Sequence, residues 1–181
     1  MVGLLRVDVR GCRSDLDELD VALLRTPGRS TPALAFERLS GEAIMAALPA
    51  GHRLAGRPAV ALSALKEEEF VASPRALGQG FHDQLASLCL HAGFVPQVVQ
   101  RAGRSQTVAG LVAAGFGVAL LPASLAATLP IGAVMLPLIT DAPEQLVRLD
   151  LHMAWNARQA LPVRERLLAQ LRLSAGEQQD F

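Results

Sequence analysis

"QTVAGLVAAGFGVALLPASLAA", residues 106–127, constrains this chain more than any other stretch, because from Val108 to Ala127 its only polar side chain is Ser124. A run of about twenty apolar residues meets the length criterion for a transmembrane helix. Its punctuation argues against one. Gly110, Gly115, Gly117 and Pro122 interrupt it, and Gly115-Phe116-Gly117 suits a turn better than a helix interior. The pattern predicts a helix over 105–114, capped by Ser105 and stopped by Gly115, then a buried strand over 117–121 halted by Pro122. A helix–turn–strand unit covered on both faces accounts for the apolarity without lipid.

Composition narrows the class. The chain has 181 residues, 51% hydrophobic and 19% charged, which is globular and sufficient for one domain or two small lobes. Seventeen basic residues balance seventeen acidic ones, so the electrostatic footprint of a chain that holds nucleic acid by itself is missing. With 4% aromatics and no Tyr there is no base-stacking platform either. Cys12 and Cys89 lie far apart, as reduced thiols of a cytoplasmic protein do. The opening "MVGLLRVDVR" has no long apolar run and does not read as a secretory signal.

Along the chain, strands and helices alternate. "LLRVDVR" and "DVALLR" read as strands, with room for about two helical turns in "GCRSDLDEL" between them. Residues 36–49 are extended, and "PAGHRLAGRP" is a punctuated connection suited to a lobe boundary. "SALKEE" follows as a short helix capped by Ser63, then the strand 69–73. Phe81, Leu85, Leu88, Cys89 and Ala92 recur at helical spacing before Gly93. Strands are predicted at 97–101, at 133–139 with an interruption at Pro137, and at 148–155. Val163, Leu167 and Leu171 stripe a last helix, and "SAGEQQDF" reads as a frayed tail. This order implies parallel pairing and an α/β fold.

The residues assemble no catalytic centre. The four histidines are scattered without metal-ligand spacing, so no metal is expected. "GFGVAL" precedes a strand and follows a helix, the wrong order for a dinucleotide fingerprint, and no cofactor is expected. His82-Asp83 reads as a solvated first helical turn, and "EEE" at 67–69 as a wet helix end. Binding is better supported. The strand 69–73 opens into "SPRALGQGF" and the strand 97–101 into "AGRSQT", each leading into a helix. Helix starts beyond the carboxyl ends of parallel strands offer free N–H groups and partial positive charge to an anion, with Arg75 and Arg104 beside them.

"ALPAGHRLAG", "LSALKEEEFVASP" and "GFHDQLASLCLHAGFVPQVVQRAGRSQTVAGLVAAGFGVALLPASL" resemble, in that order, the effector-binding domain of LysR-type transcriptional regulators. The branch that senses aromatic acids and their ring-cleavage products is the most similar. The resemblance runs from about Leu4 to about Arg172, and "GLVAAGFGVALLPASL" is its most specific part. It implies an α/β fold of two Rossmann-like lobes, type II periplasmic-binding-protein-like. Lobe one would be residues 1–52 and 147–181, and lobe two residues 53–146. It further implies no enzymatic activity and a small carboxylate effector bound between the lobes. Carried over, the effector contacts fall on Ser73, Arg75, Gln79, Gly80 and Phe81, on Ser105, Gln106 and Thr107, on Val118 and Pro122, and on Cys12 and Ser14 of the first lobe. The sequence begins at what resembles the second strand of lobe one. The family's first strand and helix, and its DNA-binding helix-turn-helix, have no counterpart in it. The strands at 4–10 and 20–25 must then pair directly or leave backbone groups unpaired. The first lobe is expected to be rearranged beside an intact second one, with exposed apolar surface relieved by homo-oligomerisation.

Two other classes compete. A transporter's solute-binding protein has the same bilobal fold but an extracytoplasmic location. A small α/β enzyme would use His82 and Asp83 for acid–base catalysis. The regulatory reading places the protein in the cytoplasm, with no membrane contact and with DNA reached only through a separate helix-turn-helix. Because the charge is balanced and no recognition helix is evident, this chain alone should give no sequence-dependent gel shift of duplex DNA at physiological salt. A sequence-dependent shift would contradict that.

Overall fold

Extended backbone is sustained from Leu34 to Pro49, and near its end Ala46, Ala47 and Leu48 are all fully buried. A strand loses its alternation in this way when it is paired on both edges and covered on both faces. The computed structural model describes residues 7–9, 20–24, 34–74, 79–158 and 161–176. Its elements in chain order are β1 (Val7–Val9), β2 (Val21–Leu24), β3 (Leu34–Pro49), β4 (Val60–Ala61), β5 (Glu69–Ala72), α1 (Gln79–His91), β6 (Gln97–Arg101), α2 (Ser105–Ala113), β7 (Ala119–Pro122), β8 (Ala133–Ile139), α3 (Glu144–Val147), β9 (Arg148–Asn156) and α4 (Pro162–Gly176). Two 3-10 helices, Leu62–Leu65 and Ala123–Thr128, complete them. The chain divides into two compact units, Met1–Gly41 with Asp150–Phe181, and Glu42–Leu149. The divisions fall inside β3 and β9, not in the 49–58 connection where the sequence reading puts the boundary. The reason is pairing: the second half of β3 is held between β7 and β8.

The unit 42–149 is built around that half-strand. Ile44 to Ala47 pair antiparallel with β7, Met45 to Pro49 pair antiparallel with β8, and β4 adds parallel to β8. β5 and β6 form a parallel pair, joined to the start of β7 at Val118. Val118 donates its N–H to the Glu69 carbonyl at 2.8 Å and accepts from the Val71 N–H at 2.8 Å. Alternation then sorts the side chains into two layers. Ile44, Ala46, Leu48, Phe70, Val118 and Leu120 pack with Leu88 and Cys89 of α1 and with Phe94. Ala47, Val71, Ala119 and Leu121 pack on the opposite side with Val108, Ala109 and Val112 of α2 and with Leu125. The opening apolar stretch is thus a helix on one face and the central strand that the helices cover. Among the described residues no helix is long and apolar enough to cross a membrane.

The other unit pairs β1 directly with β2, parallel, Val7 opposite Val21, and β2 antiparallel with β9. Of the two outcomes expected for these strands, direct pairing is the one the chain adopts. α4 covers one face through Leu168, which packs with Val21, Leu39 and Met153. Arg172 holds α4 to β3 through Glu37, at 2.8 and 2.6 Å, a two-pronged bond that lowers the Glu37 pKa below the ordinary carboxylate range.

Several expectations need correction. Ser63 and Ser105 are helical residues, not caps: the cap positions are Ala61 and Arg104. β8 runs unbroken through Pro137, which lies opposite Met45. Pro122 is the last paired residue of β7, opposite Ile44, so the strand includes it. On α4 Leu167 and Leu171 pack against the core as expected, beside the buried Arg164 and Leu168, while Val163 is 40% exposed. The buried Arg164 guanidinium donates to the Asn156 carbonyl at 2.8 Å and lies 3.3 Å from the Glu165 carboxylate. α3 was not anticipated, and the short helix expected between β1 and β2 lies outside the described residues.

Gly115, at φ +84°, ends α2 in the left-handed conformation. Gly117 is constrained twice: its φ is +136°, and a β-carbon there would overlap the Glu69 carbonyl oxygen. Gly117→Ala should therefore destabilise by about 2–4 kcal/mol in urea unfolding. Gly110, in the middle of α2, has open space around it, so Gly110→Ala should stabilise by roughly 0.5–1 kcal/mol. Equal effects of the two substitutions would contradict this account of the turn.

Candidate functional site

The carboxyl ends of β5, β6 and β7 reach one edge of the unit 42–149, because β5 runs parallel to β6 and pairs in parallel with Val118 at the start of β7. The Ala102 N–H donates to the Ala72 carbonyl at 3.1 Å, tying the ends of β6 and β5 together. α2 begins close after Ala102 and so stands at this edge, and α1 is the next element of the chain after β5. Ser73 and Pro74 follow β5 half-buried, and Gly80 and Phe81 stand in the first turn of α1. Phe81 is half-buried and packs against the core.

The start of α2 is open to solvent. Arg104 occupies the cap position in extended conformation, and no side chain caps the helix. The first intrahelical donor is Val108, which bonds the Arg104 carbonyl at 3.0 Å. The N–H groups of Ser105, Gln106 and Thr107 precede it and have no acceptor within the helix. Ser105 is half-buried, and Gln106 and Thr107 are exposed, as is Arg104. Three amides at the positive end of a helix, with a hydroxyl and a guanidinium beside them, suit a carboxylate or another small anion.

Ser73 follows β5, Gly80 and Phe81 stand in the first turn of α1, Ser105, Gln106 and Thr107 form the first turn of α2, and Pro122 ends β7. Gln79 opens α1, and Arg75, Cys12 and Ser14 lie outside the described residues. Val118 does not line the edge. Its side chain is 1% exposed in the core with Phe70, and both its backbone groups are spent on β5. It positions the edge and leaves nothing for a ligand.

Other polar groups have separate roles. His52 accepts the Leu54 N–H at Nδ1 (3.2 Å), so its proton sits on Nε2, 3.2 Å from Glu68. Arg53 reaches the same carboxylate at 2.6 Å. Burial raises the Glu68 pKa, but hydrogen bonds from His52 and Arg53 outweigh it and hold the carboxyl below its ordinary value. The expected wet helix end is thus, at Glu68, a clamp on the 49–58 connection. No spacing rule reveals it, because its partners lie on a separate loop. Burial pushes the Cys89 thiol up to about 12, so it is an inert core group. His82 Nδ1 lies 3.5 Å from its sequence neighbour Asp83. Among the described residues no three His, Cys, Asp or Glu side chains group as metal ligands. A separate cavity of about 310 Å³ lies at the far end of α1, lined by residues that include Ser63, His91, Ile139 and Asp141. None of the expected contacts faces it.

Strands covered by helices on both faces make an α/β fold, and its likeness to solved structures makes it one of the type II periplasmic-binding-protein kind. The sequence places it more narrowly. Residues 15–175 match the LysR substrate binding domain, and the chain belongs to that family. It is 32% identical to the HTH-type transcriptional regulator TtuA of Agrobacterium vitis over 150 residues, 83% of this chain and 49% of that protein. It thus spans about half the length of the curated relatives it matches. Among solved structures it resembles the BenM effector binding domain with its effector benzoate, at a TM-score of 0.77 and 23% identity, covering 91% of this chain and 73% of that one. It also resembles the effector binding domain of QuiR in complex with shikimate, at 0.70 and 16% identity, covering 91% and 75%. At these identities the two structures speak for the fold.

Proposed function

We propose that this chain is the effector-sensing module of a LysR-type transcriptional regulator, and that it takes a small carboxylate, an aromatic acid or a ring-cleavage product, at the carboxyl edge of the unit 42–149. The observation that supports the reading is the uncapped amino end of α2, which follows directly on the end of β6 that the Ala102–Ala72 bond ties to β5. Backbone amides and a helix terminus recognise charge and not a particular skeleton, which fits a fold seen with benzoate in the BenM domain and with shikimate in the QuiR domain. Ser73, Gln79 and Thr107 provide hydrogen bonds in this reading, Arg75 and Arg104 provide positive charge, and Phe81 and Pro122 provide apolar walls. The two lobes correspond to the two compact units. The module works without catalysis or cofactor, in the cytoplasm, as a homo-oligomer, and DNA is contacted by a helix-turn-helix part and not by this chain.

A thermal-shift screen tests the ligand class. A carboxylate at a hundred times its dissociation constant should stabilise the chain by roughly 2.7 kcal/mol. Thr107→Val, which keeps shape but removes a hydroxyl, should weaken the same ligand by about 1.5–3 kcal/mol in calorimetry. Stabilisation by neutral sugars or cationic amines and by no carboxylate would overturn the anion-binding reading.

A further inference from the structure

Gln84 stands one turn inside α1, on the side that packs against α3. Its side-chain Nε2 lies 3.0 Å from the carbonyl oxygen of Gln145, 3.1 Å from that of Leu146 and 2.6 Å from that of Arg148. A primary amide carries two N–H hydrogens, so three acceptors compete for two donors. The acceptors belong to a helix of only four residues and to the residue after it, where carbonyls lack intrahelical donors. One side chain from α1 therefore supplies what α3 cannot supply for itself. Apolar contact reinforces the junction: Phe81 and Leu85 of α1 share one cluster with Leu146, Val147 and Leu149.

The position of this junction matters. β9 begins at Arg148, and the division between the two compact units falls directly after Leu149. At the other end of the same stretch of helix, Gly80 and Phe81 form the first turn of α1 at the candidate effector edge. We propose that Gln84 is a positioning residue that couples this edge to the segment 145–149, from which the chain leaves the unit along β9. The proposal rests on the reading of the edge as the effector site. A ligand that shifts the first turn of α1 moves the Gln84 amide with it, because one turn of helix separates them. The two donors then redistribute between Arg148 on one side and Gln145 and Leu146 on the other. The crossover changes its hydrogen bonding without touching the ligand.

Amide hydrogen exchange read by mass spectrometry tests this on the whole chain, first without ligand. In Gln84→Met, which has similar bulk and no donor, exchange over 145–150 should rise roughly tenfold, as loss of one or two net hydrogen bonds implies. Gln84→Lys, which keeps a donor, should exchange closer to the parent. Gly80→Ala, which stiffens the first turn of α1, should slow exchange over 145–150 by itself and change nothing in the Gln84→Met background. Additive effects, or an unchanged crossover in Gln84→Met, would overturn the coupling and leave Gln84 a local cap. If Gln84→Met melts as a whole, the cycle is read in Gln84→Asn, which retracts the amide by one methylene. Benzoate is then added as the probe. It should slow exchange in the first turn of α1 in both parent and Gln84→Met, but slow the crossover in the parent alone. Protection of the crossover in both would also overturn the coupling. Protection of neither segment by benzoate would count against the effector edge, while the ligand-free cycle alone decides the role of Gln84.

Discussion

The two hydrogen bonds at Val118 are what the rest of the unit 42–149 depends on. They join the β5–β6 pair to β7, and so to β3 and β8, and they make β5 the middle of three parallel segments. Only with that join do the ends of β5, β6 and β7 reach a common edge. The join demands a close approach, because the backbone of Gly117 passes so near Glu69 that no side chain fits between them. Two glycines in "GFG" therefore have distinct duties. Gly115 ends a helix, and Gly117 lets the next strand lie against its neighbour.

The same join explains why so apolar a stretch folds as a short helix and a buried strand. Alternate residues of β7 enter two separate cores, Leu120 with α1 and Leu121 with α2, so neither face of the strand is free for polar side chains. The preceding helix is apolar for a simpler reason. Val108, Ala109 and Val112 cover the sheet, and the small residues between them let α2 pack closely. Gln106 and Thr107, at its exposed start, are the point where the polar character of the edge begins.

Much of this was legible in the sequence because periodicity and glycine placement are local signals. The order of strands and helices from 69 to 139, the stop at Gly115 and the two-sided burial of residues 118–121 all follow from short windows. The helix caps were misplaced by one or two residues. A serine at the first helical position and one at the cap position look alike in sequence, and only backbone geometry separates them. Long-range polar contacts were not legible at all. Gln84 reaches residues 145–148, Glu68 reaches His52 and Arg53, and Arg164 hides under Asn156, each across a separation no local pattern spans. Of the expected site, Val118 is ruled out, because a buried strand residue that makes the join cannot also face a ligand.

The most direct test of the account is where a small carboxylate touches the backbone. In a titration of the isotopically labelled chain with benzoate, shikimate and related acids, the account predicts saturable amide shifts at Ser105, Gln106 and Thr107 and at Gly80 and Phe81. Those amides should move together with one dissociation constant. Saturable shifts confined to the cavity at Ser63, His91 and Asp141, with the starts of α1 and α2 unmoved, would contradict it.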